Sequence, residues 1–164
     1  MSLSAKVAPA GTPSGFASAT FAVNAQVNTA CQEVQHGSFP NPLTIDTQSA
    51  VDQTFSPSAD EQVKCTNGTV FTIKVSSGNG TAANQACTSV GVSNMALKSA
   101  GSPADVIAYT FLCSGDTDGS GHFTGSGFST ARALGMSVKV LAANAQAAVA
   151  HADYADSVTL TISY

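Results

Sequence analysis

At 164 residues the chain is long enough for one domain that buries about two-thirds of its unfolded surface, and too short for two. Only 10% of residues are charged, the formal net charge is −4, and Lys and Arg are scattered, which argues against nucleic acid and anionic membranes as partners. The 27 Ala, 21 Ser, 17 Thr and 14 Gly, with no Trp, fit a secreted, fibrous or surface-layer β protein better than a cytosolic enzyme.

In chain order, the amino end "MSLSAKVAPAGTPSGFASA" has one Lys and no continuous apolar stretch, so it does not read as an intact secretory signal. Residues 1–15 are expected to be a Pro/Gly/Ser-rich flexible tail, an expression or processing remnant. "TFAVNAQV" (20–27) alternates Phe21, Val23, Ala25 and Val27 with small or polar residues, the period of a strand with one face buried. "VFTIKVSSGNG" (70–80) repeats the pattern with Phe71, Ile73 and Val75, then stops at a turn. "VIAYTFLC" (106–113) and "GMSVKVLA" (135–142) do the same around Tyr109/Phe111 and Met136/Val138/Val140. "LAANAQAAVAHADYA" (141–155) has the Ala content of a helix but no distinct apolar face, so an extended or irregular course is expected. The last eight residues alternate Val158, Leu160, Ile162 and Tyr164 with Ser and Thr, a strand that runs to the carboxyl terminus. Short strands between Gly/Ser/Asn/Pro loops predict an all-β sandwich, and no apolar run approaches the ~18 residues of a membrane helix.

Cys31, Cys65, Cys87 and Cys113 are separated by 34, 22 and 26 residues and form no CxxC. An even number of well-spaced cysteines in a low-charge β chain favours disulfides and an oxidising compartment. Three connectivities are open; sequential pairing, Cys31–Cys65 and Cys87–Cys113, is preferred, with buried free thiols as the alternative.

The residues that bear chemistry are sparse. "DTDGSGHFTGSG" (116–127) places Asp116, Asp118 and Ser120 at positions 1, 3 and 5 of an EF-hand-like loop, but Gly127 stands where the closing bidentate carboxylate belongs. A Gly/Asp/Ser-rich β loop explains the same residues, and they remain weak metal candidates. His36, His122 and His151 are the possible bases, His151 with Asp153 and Asp156 being the best dyad, yet no G-x-S-x-G or H-E-x-x-H is present. Neither catalysis nor a cofactor is expected. Asn67-Gly-Thr and Asn79-Gly-Thr match the glycosylation sequon, but Asn-Gly beside strand ends reads better as turn chemistry.

Four blocks, in this order, resemble the spore coat protein U domain family, which includes the major pilins of archaic chaperone–usher pili. They are "TFAVNAQVNTAC" (20–31), "VKCTNGTVFTIKVSSGNG" (63–80), "NMALKSAG" (94–101) followed by "AYTF" (108–111), and the terminal "DYADSVTLTISY" (153–164). The chain departs from the family in having "HGSFPNPLTID" (36–46) where a Phe-Gly motif is common, and the Ala-rich segment where a Gly/Pro loop is usual. Cys87 and Cys113 look like an added bridge.

The resemblance implies an incomplete immunoglobulin-like β-sandwich completed by donor-strand exchange. Residues 16–27 would be the amino-terminal donor strand, with Phe16, Phe21, Val23, Ala25 and Val27 as its apolar side, and 28–164 the pilin-like domain. Val158, Leu160, Ile162 and Tyr164 would border the acceptor groove. Burying the three large donor side chains Phe21, Val23 and Val27 gives on the order of 5–8 kcal/mol before ordering costs. The implied partners are identical subunits in a head-to-tail filament, with a periplasmic chaperone and an outer-membrane usher during assembly. Secretion through the periplasm to the cell surface, and a part in adhesion or biofilm, follow from the same resemblance. The rival readings are a monomeric secreted β-sandwich that binds carbohydrate or calcium through loop 115–127, and a spore coat component. Taken on its periodicity alone, 20–27 reads as an ordinary first strand paired within its own sandwich.

Overall fold

The computed structural model describes residues 22–116 and 119–164. Among them eleven strands and one short helix follow in chain order: β1 (Cys31–Gln35), β2 (Gln53–Phe55), β3 (Glu61–Cys65), β4 (Val70–Ser77), β5 (Gln85–Ala86), β6 (Val92–Ser99), β7 (Val106–Ser114), β8 (His122–Thr124), β9 (Arg132–Val140), α1 (Ala142–Gln146), β10 (Tyr154–Ala155) and β11 (Val158–Ser163). The larger sheet runs β1-β3-β9-β7-β6-β10, with β2 also on β9; the smaller runs β11-β4-β5, with β8 also on β4. Every pairing is antiparallel. The two sheets make an immunoglobulin-like β-sandwich.

Period-two alternation decides which face each long strand buries. β4 turns Phe71, Ile73 and Val75 inward, β7 turns Ile107, Tyr109, Phe111 and Cys113, and β9 turns Leu134, Met136, Val138 and Val140. Phe71 stacks on Phe123 of β8 at 5.5 Å between ring centroids, and Phe39 meets Phe111 edge-on at 6.1 Å. In β6 the alternation slips: a bulge falls between Val92 and Met95, and Asn94 adopts a φ of 64°. The extra residue restores an inward Met95, and Asn tolerates the left-handed conformation better than most residues. Cys31 is bonded to Cys65 and Cys87 to Cys113, so each bridge is sequential. The first ties β1 to β3 at a directly opposed pair, and the second ties the segment after β5 to β7.

Two sequence expectations need correction. The reading of 20–27 as an ordinary first strand paired within its own sandwich does not hold for its described part, since residues 22–27 form no strand. Within 141–155, expected to be extended or irregular, Ala142–Gln146 is one helical turn. Tertiary anchors compensate for its missing apolar face. Ala142 N donates to Asp52 Oδ1, Asn144 Nδ2 to Ala108 O and Gln146 Nε2 to Ser49 O, while Ala145 is fully buried. β1, β2, β5 and β8 are short, and no alternation long enough to announce them is present.

Candidate functional site

β11 bonds on one side only. Its register on β4 runs from Val158↔Ser77 to Ser163↔Thr72, and its other edge meets no strand among the described residues. Val158, Leu160 and Ile162 point toward the core yet stay only partly buried, while Thr159 and Thr161 face solvent. A row of unpaired backbone groups beside half-covered apolar side chains is what an additional strand would satisfy.

Two cavities border this strand at successive residues. The larger, about 790 Å³, lies between Val158 and the segment from Phe39 to Thr47, with Ile107, Tyr109 and Val138 also lining it. The smaller, about 260 Å³, lies between Leu160 and Ile162 on one side and Glu33, Glu61 and Val63 on the other. Leu134 and Met136 line the smaller, so the two follow one another along β9 as well as β11. They are separate cavities set in series beneath β11, a trough whose smaller part reaches Glu33 of β1 and whose larger part lies under the 39–47 segment. Tyr164, expected to border it, lies just beyond β11 and is 63% exposed.

The lead into β11 is fixed by two carboxylates. Asp153 accepts from Ser99 Oγ and Gly101 N, both at 2.8 Å, and these bonds hold its carboxyl below the usual carboxylate range. Asp156 accepts from Ser77 Oγ and Tyr109 Oη, both at 2.7 Å, and from Asn79 N and Ser157 N. Burial, and then the bond to Asp156, push the Tyr109 phenol well above its ordinary value, so it stays a donor. "DYAD" is thus a clamp that aims β11 along β4.

The other candidates are dispersed. His151 Nε2 contacts Asp105 Oδ2 at 2.8 Å, so its carboxylate partner is Asp105 in place of Asp153 or Asp156. The pairing is invisible in sequence because the two residues lie 46 apart. Asp116 Oδ2 accepts from Gly121 N at 3.0 Å, and Ser120 Oγ lies 2.6 Å from His122 Nδ1, both contacts within the loop itself. Asp118, Phe16 and Phe21 fall outside the described residues. Val23 and Val27 are 82% and 80% exposed, and Ala25 is exposed too. Asn79 Nδ2 donates to Ala155 O, which assigns the second sequon to turn and clamp. Sequence reasoning missed a cluster of Glu33, His36 and Glu61. Its one signal was Glu61 standing in phase with the inward Val63 and Cys65.

An antiparallel immunoglobulin-like sandwich whose last strand keeps an edge unpaired among the described residues, beside a largely apolar trough, defines a class of structural domain. The chain belongs to the Spore Coat Protein U domain family, whose model matches residues 17–161 and which is the family of the archaic chaperone–usher pilin subunits. No curated protein matches the sequence. The family's role is structural, in pili and spore coats, and not enzymatic. Among the described residues no helix is long and apolar enough to cross a membrane.

Proposed function

We propose that the chain is the shaft subunit of an extracellular fibre that polymerises head to tail by donor-strand complementation. Residues 16–27 of one copy lie along β11 of the next, above the trough. The reading rests on one paired observation: β11 has a free edge over a half-covered apolar face, while Val23 and Val27 stand 82% and 80% exposed in their own copy. Each is the complement of the other. The donated strand would supply main-chain hydrogen bonds and place alternate apolar side chains between the sheets. Because donor and acceptor lie on different parts of the surface, the contact propagates as an open filament.

Before assembly the same trough would be covered by a periplasmic chaperone, and an outer-membrane usher would deliver subunits to the surface. Adhesion and biofilm formation are then properties of the fibre. The test is size-exclusion chromatography and negative-stain microscopy of the full chain and of a chain lacking residues 1–27. Fibres from the full chain alone, with a peptide of residues 16–27 raising the melting temperature of the shortened chain, support the proposal. A shortened chain that melts as high as the full one and ignores the peptide overturns it.

A further inference from the structure

β3 puts Glu61 on the face that points into the sandwich, and only 5% of the residue is exposed. A buried carboxylate is costly unless a cation or hydrogen-bond donors compensate it. Its Oε2 makes no well-aligned hydrogen bond among the described residues, although the His36 ring approaches it. The neighbouring strand β1 and the residue just past it bring two groups to it. β1 follows β3 from Cys31↔Cys65 to Glu33↔Val63 and then bulges, so that Gln35 comes to face Gln62. A bulge of this kind re-aims the side chains around it. Buried Gly37 then passes so close to Ala59 that a Cβ would strike the Ala59 carbonyl oxygen, and Ser58 N donates to Ser38 O at 2.8 Å.

His36 is thereby fixed with Nδ1 3.0 Å from Glu61 Oε2 and 3.4 Å from Glu33 Oε1. The three residues can each present a ligand atom within 4.8 Å of the others. With at most one hydrogen on Nδ1, the ring can bridge only one of the two mutually repelling carboxylates at a time. On tetrahedral zinc, with bonds of about 2.0–2.1 Å, ligand atoms stand about 3.3 Å apart, which the spacing here approaches.

The geometry points to a divalent transition-metal site, best matched to Zn²⁺, made by His36 Nδ1, Glu33 Oε1 and Glu61 Oε2. An imidazole with two carboxylates suits zinc better than Ca²⁺ or Mg²⁺, which take six or more oxygen ligands or keep most of their water. A fourth position is left for water. Since Glu33 and Glu61 line the smaller cavity, the metal brackets the β1 bulge to β3 at the lip of the trough. The site needs only one copy of the chain and stands independently of how copies assemble.

Calorimetric titration of the purified full chain with zinc chloride at neutral pH tests it, with calcium and magnesium chlorides as controls. One zinc per chain is expected, with His36→Ala and Glu33→Gln each weakening it by about tenfold or more. His122→Ala and His151→Ala should leave the affinity unchanged. Zinc should also raise the melting temperature of the unaltered chain but not of His36→Ala. The His36 and Glu33 side chains are 68% and 51% exposed, so their replacement leaves the fold in place, as melting without metal will show. Absence of stoichiometric binding, or binding that survives in the His36→Ala/Glu33→Gln double variant, overturns the assignment.

Discussion

Asp156 gathers more of the fold than any other carboxylate. It joins the start of β11 to Ser77 at the end of β4, to Asn79 in the following turn and to Tyr109 on β7. Asp156→Ala leaves the Tyr109 hydroxyl, in a residue 5% exposed, without its acceptor. The expected loss is about 1–3 kcal/mol in urea unfolding, against about 1 kcal/mol for Tyr109→Phe, which removes donor and hydroxyl together. Asp52, Asp105 and Asp153 act at the surface. Lys139 and Ala142 N hold the first carboxyl low, His151 and Ser102 the second, Ser99 and Gly101 N the third. Each titrates lower in the folded chain than in the unfolded one, so folding there disfavours proton binding. The stability they contribute is complete above about pH 4 and is lost as pH falls through the depressed values. Melting temperature measured down an acid series should drop in that window, and Asp105→Asn with Asp153→Asn should flatten the drop.

At the scale of elements, the disulfides act on different problems. Cys87–Cys113 joins two buried residues of the core, whereas Cys31–Cys65 holds β1, whose remaining residues are exposed. With partners 34 and 26 positions apart in sequence, each bridge stabilises by roughly 3–4 kcal/mol on the loop-entropy account. Replacing Cys31 and Cys65 by Ser should cost that amount and, in hydrogen exchange, release β1 while β7 and β9 stay protected. Loss of protection in β7 as well would show that β1 is integral to the core. Helix α1 teaches the converse. Its five residues have no apolar face, and side-chain bonds to Ser49, Asp52 and Ala108 select one turn from a segment that alone would not hold it.

For the whole molecule, the feature that matters is imbalance: β11 keeps one edge unpaired among the described residues, beside the half-covered core side chains of Val158, Leu160 and Ile162. The donor reading predicts a separation of effects. Val23→Asp with Val27→Asp should leave the melting of the isolated chain within about 0.5 kcal/mol, because both side chains are exposed there. The same pair should abolish fibres, since two carboxylates would have to enter a largely apolar trough that already holds Glu33 and Glu61. Leu160→Asp attacks the acceptor side and should stop assembly too, at a cost to the chain's own stability because Leu160 is partly buried. If Val23→Asp/Val27→Asp subunits polymerise as well as unaltered ones, a different surface makes the contact.

The alternation in 70–77, 106–113, 135–140 and 158–163 was readable as strands, together with the inward set Phe71, Ile73, Val75, Tyr109, Phe111, Met136 and Val138, because burial of one face of a pleated strand writes a period of two into the sequence. Residues 22–27 carry that same period and form no strand, since the pattern records that a face is suited to burial and not which chain will bury it. Only the tertiary structure decided that β11 keeps a free edge, that His151 meets Asp105 and that His36 lies between two glutamates. Each depends on contacts between chain segments that local spacing does not encode, and on the bulge in β1 and the close approach of Gly37 that set where those segments meet.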